Sequence, residues 1–182
     1  MRAISSTALA FVFVLRLASA ADTSAASAVR NFGQVNDHLY RGAVPSPVAI
    51  QELGAMGIKM VIDLREPGEK TTTEQTLVEK LGIRYVNVPM RSMSAPTQEQ
   101  IEHVLSLLNQ HETDRVFVHC RRGKDRTGTV IACYRVQHDG WSNRKAQGEA
   151  NEFGMSRVER GMRSFIVHFT PLNVASTLKT AN

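Results

Sequence analysis

Val116-Phe117-Val118-His119-Cys120-Arg121-Arg122-Gly123-Lys124-Asp125-Arg126-Thr127-Gly128 is the stretch on which the fold turns. Val116–Val118 is short, wholly apolar and β-prone, the pattern of a strand buried on both faces at the centre of a sheet. A helical pattern starts near Arg126 and runs to His138, with Gly140 past its end. A loop joining the carboxyl end of a buried strand to a helix amino terminus aims main-chain N–H groups and the positive helix end at one point. That point suits an anion. Gly123 lets the backbone turn tightly, and the amides of Arg121–Arg126 are enough to curl around a single phosphate.

Outward from this loop, strand and helix alternate. Ile58–Leu64 and Ile83–Val88 are strand-like. Ser46 as N-cap, Pro47 at the first helical position and Gly57 after the last turn frame a helix that buries Ala49, Ile50, Leu53 and Met56. Residues 74–81 form a short helix with Leu77, Val78 and Leu81 on one face, stopped by Gly82. Thr97 and Gln100 make a capping box for a helix whose Ile101, Val104, Leu105 and Leu108 follow i, i+3, i+4, i+7 spacing. Phe32, Val35, Leu39 and Tyr40 suggest a hairpin leading into a turn at Arg41-Gly42. The last third reads as helices alone: 126–138, 142–153 between Ser142 and Gly154, and 157–169 with Ser156 and Glu159 as a capping box. The expected fold class is α/β, a central mostly parallel sheet covered by helices on both faces.

The 182 residues, 42% of them hydrophobic, suit one globular domain, here expected over 31–170 with a tail at 171–182. Residues 1–20 combine Arg2, an apolar run from Ala8 to Leu15 and an A-x-A pattern at Ala18–Ala20, which predicts a cleaved signal peptide and an exported protein. The run is well short of the roughly 20 residues that span a bilayer, so no stable membrane span is expected. Small polar residues at 21–30 read as a linker. Removing residues 1–20 takes away two arginines and lowers the formal charge from +5 to +3. With no long basic run, nucleic-acid binding is not indicated. Cys120 and Cys133 do not suggest a disulfide: seven helical residues separate Cys133 from Arg126, about 10 Å at about 1.5 Å per residue, beyond the roughly 7 Å a bridge spans. His38, His103, His111, His138 and His168 lack metal-ligand spacing and read as surface or cap residues. No metal or cofactor is called for, and a monomer is the expectation.

A thiol at the base of an anion-binding loop is favoured in its thiolate form, which attacks phosphorus in line without a general base. Arg126 can fold back as a bidentate partner for two phosphate oxygens and stabilise transition-state charge, where a lysine offers only a point charge. Thr127 is placed to hydrogen-bond the sulfur and His119 to orient the base of the loop. Arg121, Arg122, Gly123 and Lys124 would surround the phosphate. These residues, as H-C-x-x-G-K-x-R-T-G, resemble the signature of the protein tyrosine and dual-specificity phosphatase superfamily. Leu39-Tyr40-Arg41-Gly42, Val61-Ile62-Asp63-Leu64-Arg65 and Gly140-Trp141-Ser142 also sit where its small dual-specificity members carry similar segments. The resemblance spans about residues 31–169. It implies a phosphocysteine intermediate on Cys120 and a phosphorylated protein, inositol phosphate or phosphoinositide as substrate.

One expected part is missing. Members of the superfamily usually take an aspartate general acid from a loop about thirty residues before the cysteine, but Pro89-Met90-Arg91-Ser92-Met93-Ser94-Ala95-Pro96 carries no carboxylate. Asp125 within the loop is the candidate acid; the alternative is that it pairs electrostatically with Lys124 or Arg121. Without strong proton donation the leaving group must be good, which favours a phenol or a phosphate over an alkoxide. The atypical fungal and plant branch with similar loops acts on inositol pyrophosphates, a second substrate class to weigh against phosphotyrosine. A rhodanese-like sulfurtransferase has a loop one residue shorter. A phosphate-binding module without catalysis would normally lack Cys120 or Arg126.

Overall fold

The computed structural model describes residues 28–171, so the expected signal peptide at 1–20 and all but the first residue of the 171–182 tail lie outside the described residues. Five strands form one sheet in the order β1-β2-β5-β3-β4: β1 (Gly33–Gln34), β2 (Leu39–Ala43), β3 (Ile58–Asp63), β4 (Arg84–Asn87) and β5 (Arg115–Cys120). Only β1 runs antiparallel. The others are parallel, with β5 between β2 and β3 and with Ala43 and Asp63 as the partners of Cys120 and His119. The central position expected for the apolar run at Val116–Val118 is the one it holds.

Among the described residues, six helices cover the sheet: α1 (Pro47–Ala55), α2 (Glu69–Lys80), α3 (Gln98–Gln110), α4 (Asp125–Gln137), α5 (Asn143–Glu152) and α6 (Arg160–His168). Successive strand side chains point to opposite faces. Val116, Val118 and Cys120 of β5 therefore pack in one apolar layer with residues of α3 to α6. Phe117 faces the other layer, with Ala49, Ile50 and Leu53 of α1 and Val78 of α2. Ser46 caps α1 by accepting the Ala49 N–H at 3.2 Å, and Thr97 and Gln100 form the reciprocal box at the start of α3. Cys133 is a free, buried thiol whose pKa burial pushes up.

Four boundaries differ from the sequence expectation. Helix α2 begins at Glu69, five residues before 74, although its first turns are a run of β-branched threonines. Those threonines bond back to the backbone, Thr72 Oγ1 to the Gly68 carbonyl and Thr73 Oγ1 to that of Glu69, and so compensate for weak helix propensity. Arg41-Gly42 is no turn but the middle of β2; the turn lies at residues 35–38, where Val35 N–H bonds the Leu39 carbonyl. Residues 28–30 belong to the fold rather than to a linker, since Val29 is buried and the Ala43 N–H donates to the Arg30 carbonyl. Helix α6 starts at Arg160, and Glu159 is its N-cap position instead of the N3 member of a box with Ser156.

Candidate active site

Because β5 passes directly into the loop, Cys120 lies at the carboxyl end of the central strand and almost wholly buried, at the floor of a cleft of about 380 Å³. Arg30, Ser92, Arg121, Arg122, Asp125, Arg126, Glu159 and Met162 complete its lining. Four arginines around one thiol focus positive potential on it. Arg126 is buried and held by two carbonyls: its Nη1 donates to Leu64 and to Met90, both at 3.2 Å. One end of the guanidinium is thereby anchored to β3's exit and to the 89–96 segment, which pre-orients the remainder.

The loop is shaped from behind. Gly123 has φ +68°, and a Cβ there would lie 2.4 Å from the Gly42 carbonyl carbon, so glycine is required twice over. Its carbonyl, turned away from the cleft, accepts the Asn31 Nδ2 at 2.8 Å and Arg41 Nη2 at 2.9 Å. Arg41 is fully buried with its guanidinium 3.8 Å from the centre of the Phe153 ring. Burial lowers its pKa to about 10 despite the opposing attraction of Glu149 and Cys120. A charged arginine inside an otherwise apolar strand was the available sign of this role.

His119 sits on the opposite sheet face from Cys120, stacked on Phe117, with Nε2 2.9 Å from Glu74 Oε1. Arg65 links Glu74 to Asp63, donating to both Asp63 oxygens from Nε and to Oδ2 from Nη2 at 2.6 Å, while the Tyr85 hydroxyl donates to Asp63 Oδ2 at 2.6 Å. Burial alone would raise the Asp63 carboxyl, but Arg65, His119 and Tyr85 together hold it below its ordinary value. The same burial and hydrogen bonding push the Tyr85 hydroxyl up. Asp63, Glu74 and His119 bring ligand-type atoms within 4.8 Å of one another, yet both carboxylates already engage the Arg65 guanidinium. The cluster is a carboxylate–guanidinium network packed around His119, the residue next to Cys120, whose two ring nitrogens make no hydrogen bond among the described residues.

Three placements depart from expectation. Thr127 is fully buried, and its Oγ1 has no hydrogen-bond partner among the described residues; the expected hydroxyl–sulfur bond is not formed. Lys124 does not line the cleft: its side chain lies along Gly154, where a Cβ would meet Lys124 Cε at 3.3 Å. Asp125 lines the cleft and is buried, but its Oδ1 accepts the Ser156 N–H at 2.7 Å and its Oδ2 lies 3.4 Å from Arg122 Nη2 rather than pairing with Lys124 or Arg121. Arg30, Ser92, Glu159 and Met162 join the cleft from segments that the sequence did not connect to it. Ser92 comes from the carboxylate-free 89–96 segment, so that segment does border the cleft.

A thiol held where a central strand ends and a helix begins, inside a basic cleft, places this chain among the cysteine-dependent phosphatases of the tyrosine and dual-specificity class. More narrowly, it belongs to the family described as DSP-PTPase phosphatase fused to NAD+ Kinase, whose model matches residues 17–165. Among relatives, it is 30% identical over 115 residues to the phosphatidylglycerophosphate phosphatase PTPMT1 of Arabidopsis thaliana, covering 62% of this chain and 34% of that one. It is 27% identical over 131 residues to the dual specificity protein phosphatase TpbA of Pseudomonas aeruginosa, covering 68% of this chain and 55% of the relative. The chain thus spans half or less of the two plant phosphatidylglycerophosphate phosphatases it matches. The fold is similar to the catalytic core of the PP-IP phosphatase SIW14 from S. cerevisiae, with TM-score 0.70 and 21% identity over 84% of this chain and 93% of that one. It is similar also to TpbA in complex with phosphotyrosine, with TM-score 0.62 and 22% identity over 83% and 89% of the two chains.

Proposed function

We propose that this protein hydrolyses phosphate monoesters, phosphotyrosine-type esters foremost, through a phosphocysteine intermediate on Cys120. The observation that carries this reading is Cys120 on the floor of a cleft with Arg126 buried beside it and pinned to the Leu64 and Met90 carbonyls. In the first step the sulfur attacks phosphorus in line and the ester oxygen leaves; in the second, water attacks phosphorus and the sulfur departs as thiolate. Arg126 binds the equatorial oxygens throughout and gains strength as charge develops on them. Asp125, Thr127 and His119 are assigned to the loop's architecture, with Arg121 and Arg122 as substrate-binding residues at the rim. The naming of TpbA as dual-specific, and its complex with phosphotyrosine, support the protein-phosphatase reading.

A second reading, inositol polyphosphates, inositol pyrophosphates or phosphoinositides, draws on Arg30, Arg121 and Arg122. All three line the cleft and are exposed, which favours substrates bearing more than one phosphate. The likeness to SIW14, a PP-IP phosphatase, points the same way. The deciding experiment is turnover by the purified protein of an aryl phosphate, phosphotyrosine peptides, phosphoinositides and inositol pyrophosphates, alongside Cys120→Ser. Wild type should trap a phosphorylated cysteine on acid quench and be inhibited by vanadate, and Cys120→Ser should bind phosphate without turnover. Full activity in Cys120→Ser would discard the mechanism. We also propose export by residues 1–20 and action as a monomer; fractionation of cells expressing the protein, and its hydrodynamic mass, test each.

A further inference from the structure

Among the described residues of the cleft, Glu159 is the carboxylate that nothing holds. It is 3% exposed, its Oε2 is buried without a hydrogen-bond partner, and it lines the cleft with Cys120 and Arg126. A buried carboxylate oxygen without a hydrogen bond costs free energy. Its backbone, by contrast, is tightly placed. The Glu159 N–H donates to the Ser156 carbonyl at 3.3 Å and its carbonyl accepts the Arg163 N–H at 3.0 Å. The next turn of α6 presses on the segment that lacks an acid, since a Cβ on Gly161 would lie 2.7 Å from the Ala95 nitrogen. Ser156, in turn, is tied to Asp125. Asp125 spends one oxygen as an acceptor for the main chain, and Glu159 is the other carboxylate that lines the cleft.

We propose that Glu159 is the proton donor and acceptor of the reaction, with Asp125 as the positioning residue that holds its segment against the loop; this rests on the phosphatase reading above. In the first step the Cys120 sulfur forms the S–P bond as the P–O bond to the leaving group breaks, and the Glu159 carboxyl gives its proton to the departing oxygen. In the second step a water oxygen forms a new P–O bond, the S–P electron pair returns to sulfur, and the water proton passes to the Glu159 carboxylate. The enzyme emerges as it began, with one ester and one water converted to alcohol and phosphate.

The experiment uses the purified full chain and a series of aryl phosphates graded by leaving-group pKa, with Glu159→Gln, Glu159→Ala and Asp125→Asn. Expected for Glu159→Gln is a rate loss that grows with leaving-group pKa, reaching about 10²-fold or more on the poorest, within the usual range for acid–base groups. Phosphocysteine should accumulate with good leaving groups, and formate should restore part of the rate to Glu159→Ala. Melting temperature should hold or rise in Glu159→Gln, because a side chain with an unpartnered buried oxygen is replaced by an amide of the same shape. A leaving-group dependence unchanged in Glu159→Gln, no formate rescue of a folded Glu159→Ala, or a steepened dependence in Asp125→Asn instead would overturn the assignment. Failure of wild type to turn over any ester defeats the phosphatase reading itself, whereas normal wild-type turnover with an indifferent Glu159→Gln defeats only this inference.

Discussion

Asp125 Oδ1 accepts the main-chain N–H of Ser156 at 2.7 Å, a bond across 31 residues that joins the first turn of α4 to the segment leading into α6. The acceptor, rather than the charge, is what this contact needs. Asp125→Asn, which keeps an oxygen in place, should retain kcat on an aryl phosphate within a few-fold. Asp125→Ala leaves the Ser156 N–H unpaired and should cost about 1–3 kcal/mol of stability together with a clear fall in kcat. Steady-state kinetics and urea unfolding of the two variants separate them, and equal inactivation of both would show that the charge matters after all.

Gly123 allows the sharpest backbone prediction. Its φ of +68° disfavours any side chain, and the atoms a Cβ would strike are main chain of β2, which cannot swing aside. Gly123→Ala should lower stability by at least about 2 kcal/mol and displace the amides that cradle phosphate, raising the inhibition constant for inorganic phosphate or vanadate. An unchanged melting temperature would mean that the loop is less constrained than its packing indicates.

Arg126 is anchored by carbonyls as well as aimed at phosphate. Arg126→Lys keeps a positive charge but loses the fork geometry, and kcat should fall by about 10²–10³ with a smaller change in KM. A matching rise in KM with kcat intact would reassign Arg126 to ground-state binding.

The network behind His119 has a defined pH window. Asp63 is held below its ordinary value of 3.8, so the stability it contributes is complete above that pH and is lost as pH falls through the folded-state value. Asp63→Asn leaves Glu74 as the carboxylate paired with the Arg65 guanidinium and should lower stability near neutrality, by less than the ~3–5 kcal/mol of a fully orphaned buried charge. Unfolding free energies at pH 7 and near pH 3 test this: the gap between variant and wild type should narrow in acid.

Arg30 reaches the cleft from outside the sheet and is exposed, so Arg30→Ala should leave turnover of a small aryl phosphate nearly unchanged. KM for a substrate with several phosphates should rise, and its dependence on salt should weaken, because one contributor to long-range attraction is gone. Equal effects on both substrates would place Arg30 at the reacting phosphate.

Much of this arrangement is legible in the residues because it is local. The apolar run Val116–Val118, the H-C-x-x-G-K-x-R-T-G string and the caps at Ser46, Thr97 and Ser142 each act within a few positions of where they are read, and each stands where it was expected. What escaped depends on distant pairing. Arg41 supports the loop because β2 lies beside β5, and Glu159 lines the cleft from a segment that Asp125 bonds at Ser156, 31 residues away. The first turn and a half of α2 escaped for a different reason, since intrinsic propensity at its threonines argues against a helix there that side-chain hydrogen bonds secure. Thr127 marks a further limit: the position next to Arg126 was correct, but which way a hydroxyl turns is decided by packing.

Asn31 takes up a left-handed backbone, φ +54°, and its side-chain amide grips both the Gly123 carbonyl at 2.8 Å and that of Phe153 at 3.1 Å. The segment at residues 30–31 is therefore stitched to the phosphate cradle, with Arg30 lining the cleft. Mechanical load reaching residues 30–31, by a tether or by adhesion to a surface, is transmitted straight to the catalytic loop, and bulk attached at Arg30 sits like a hand over the entrance.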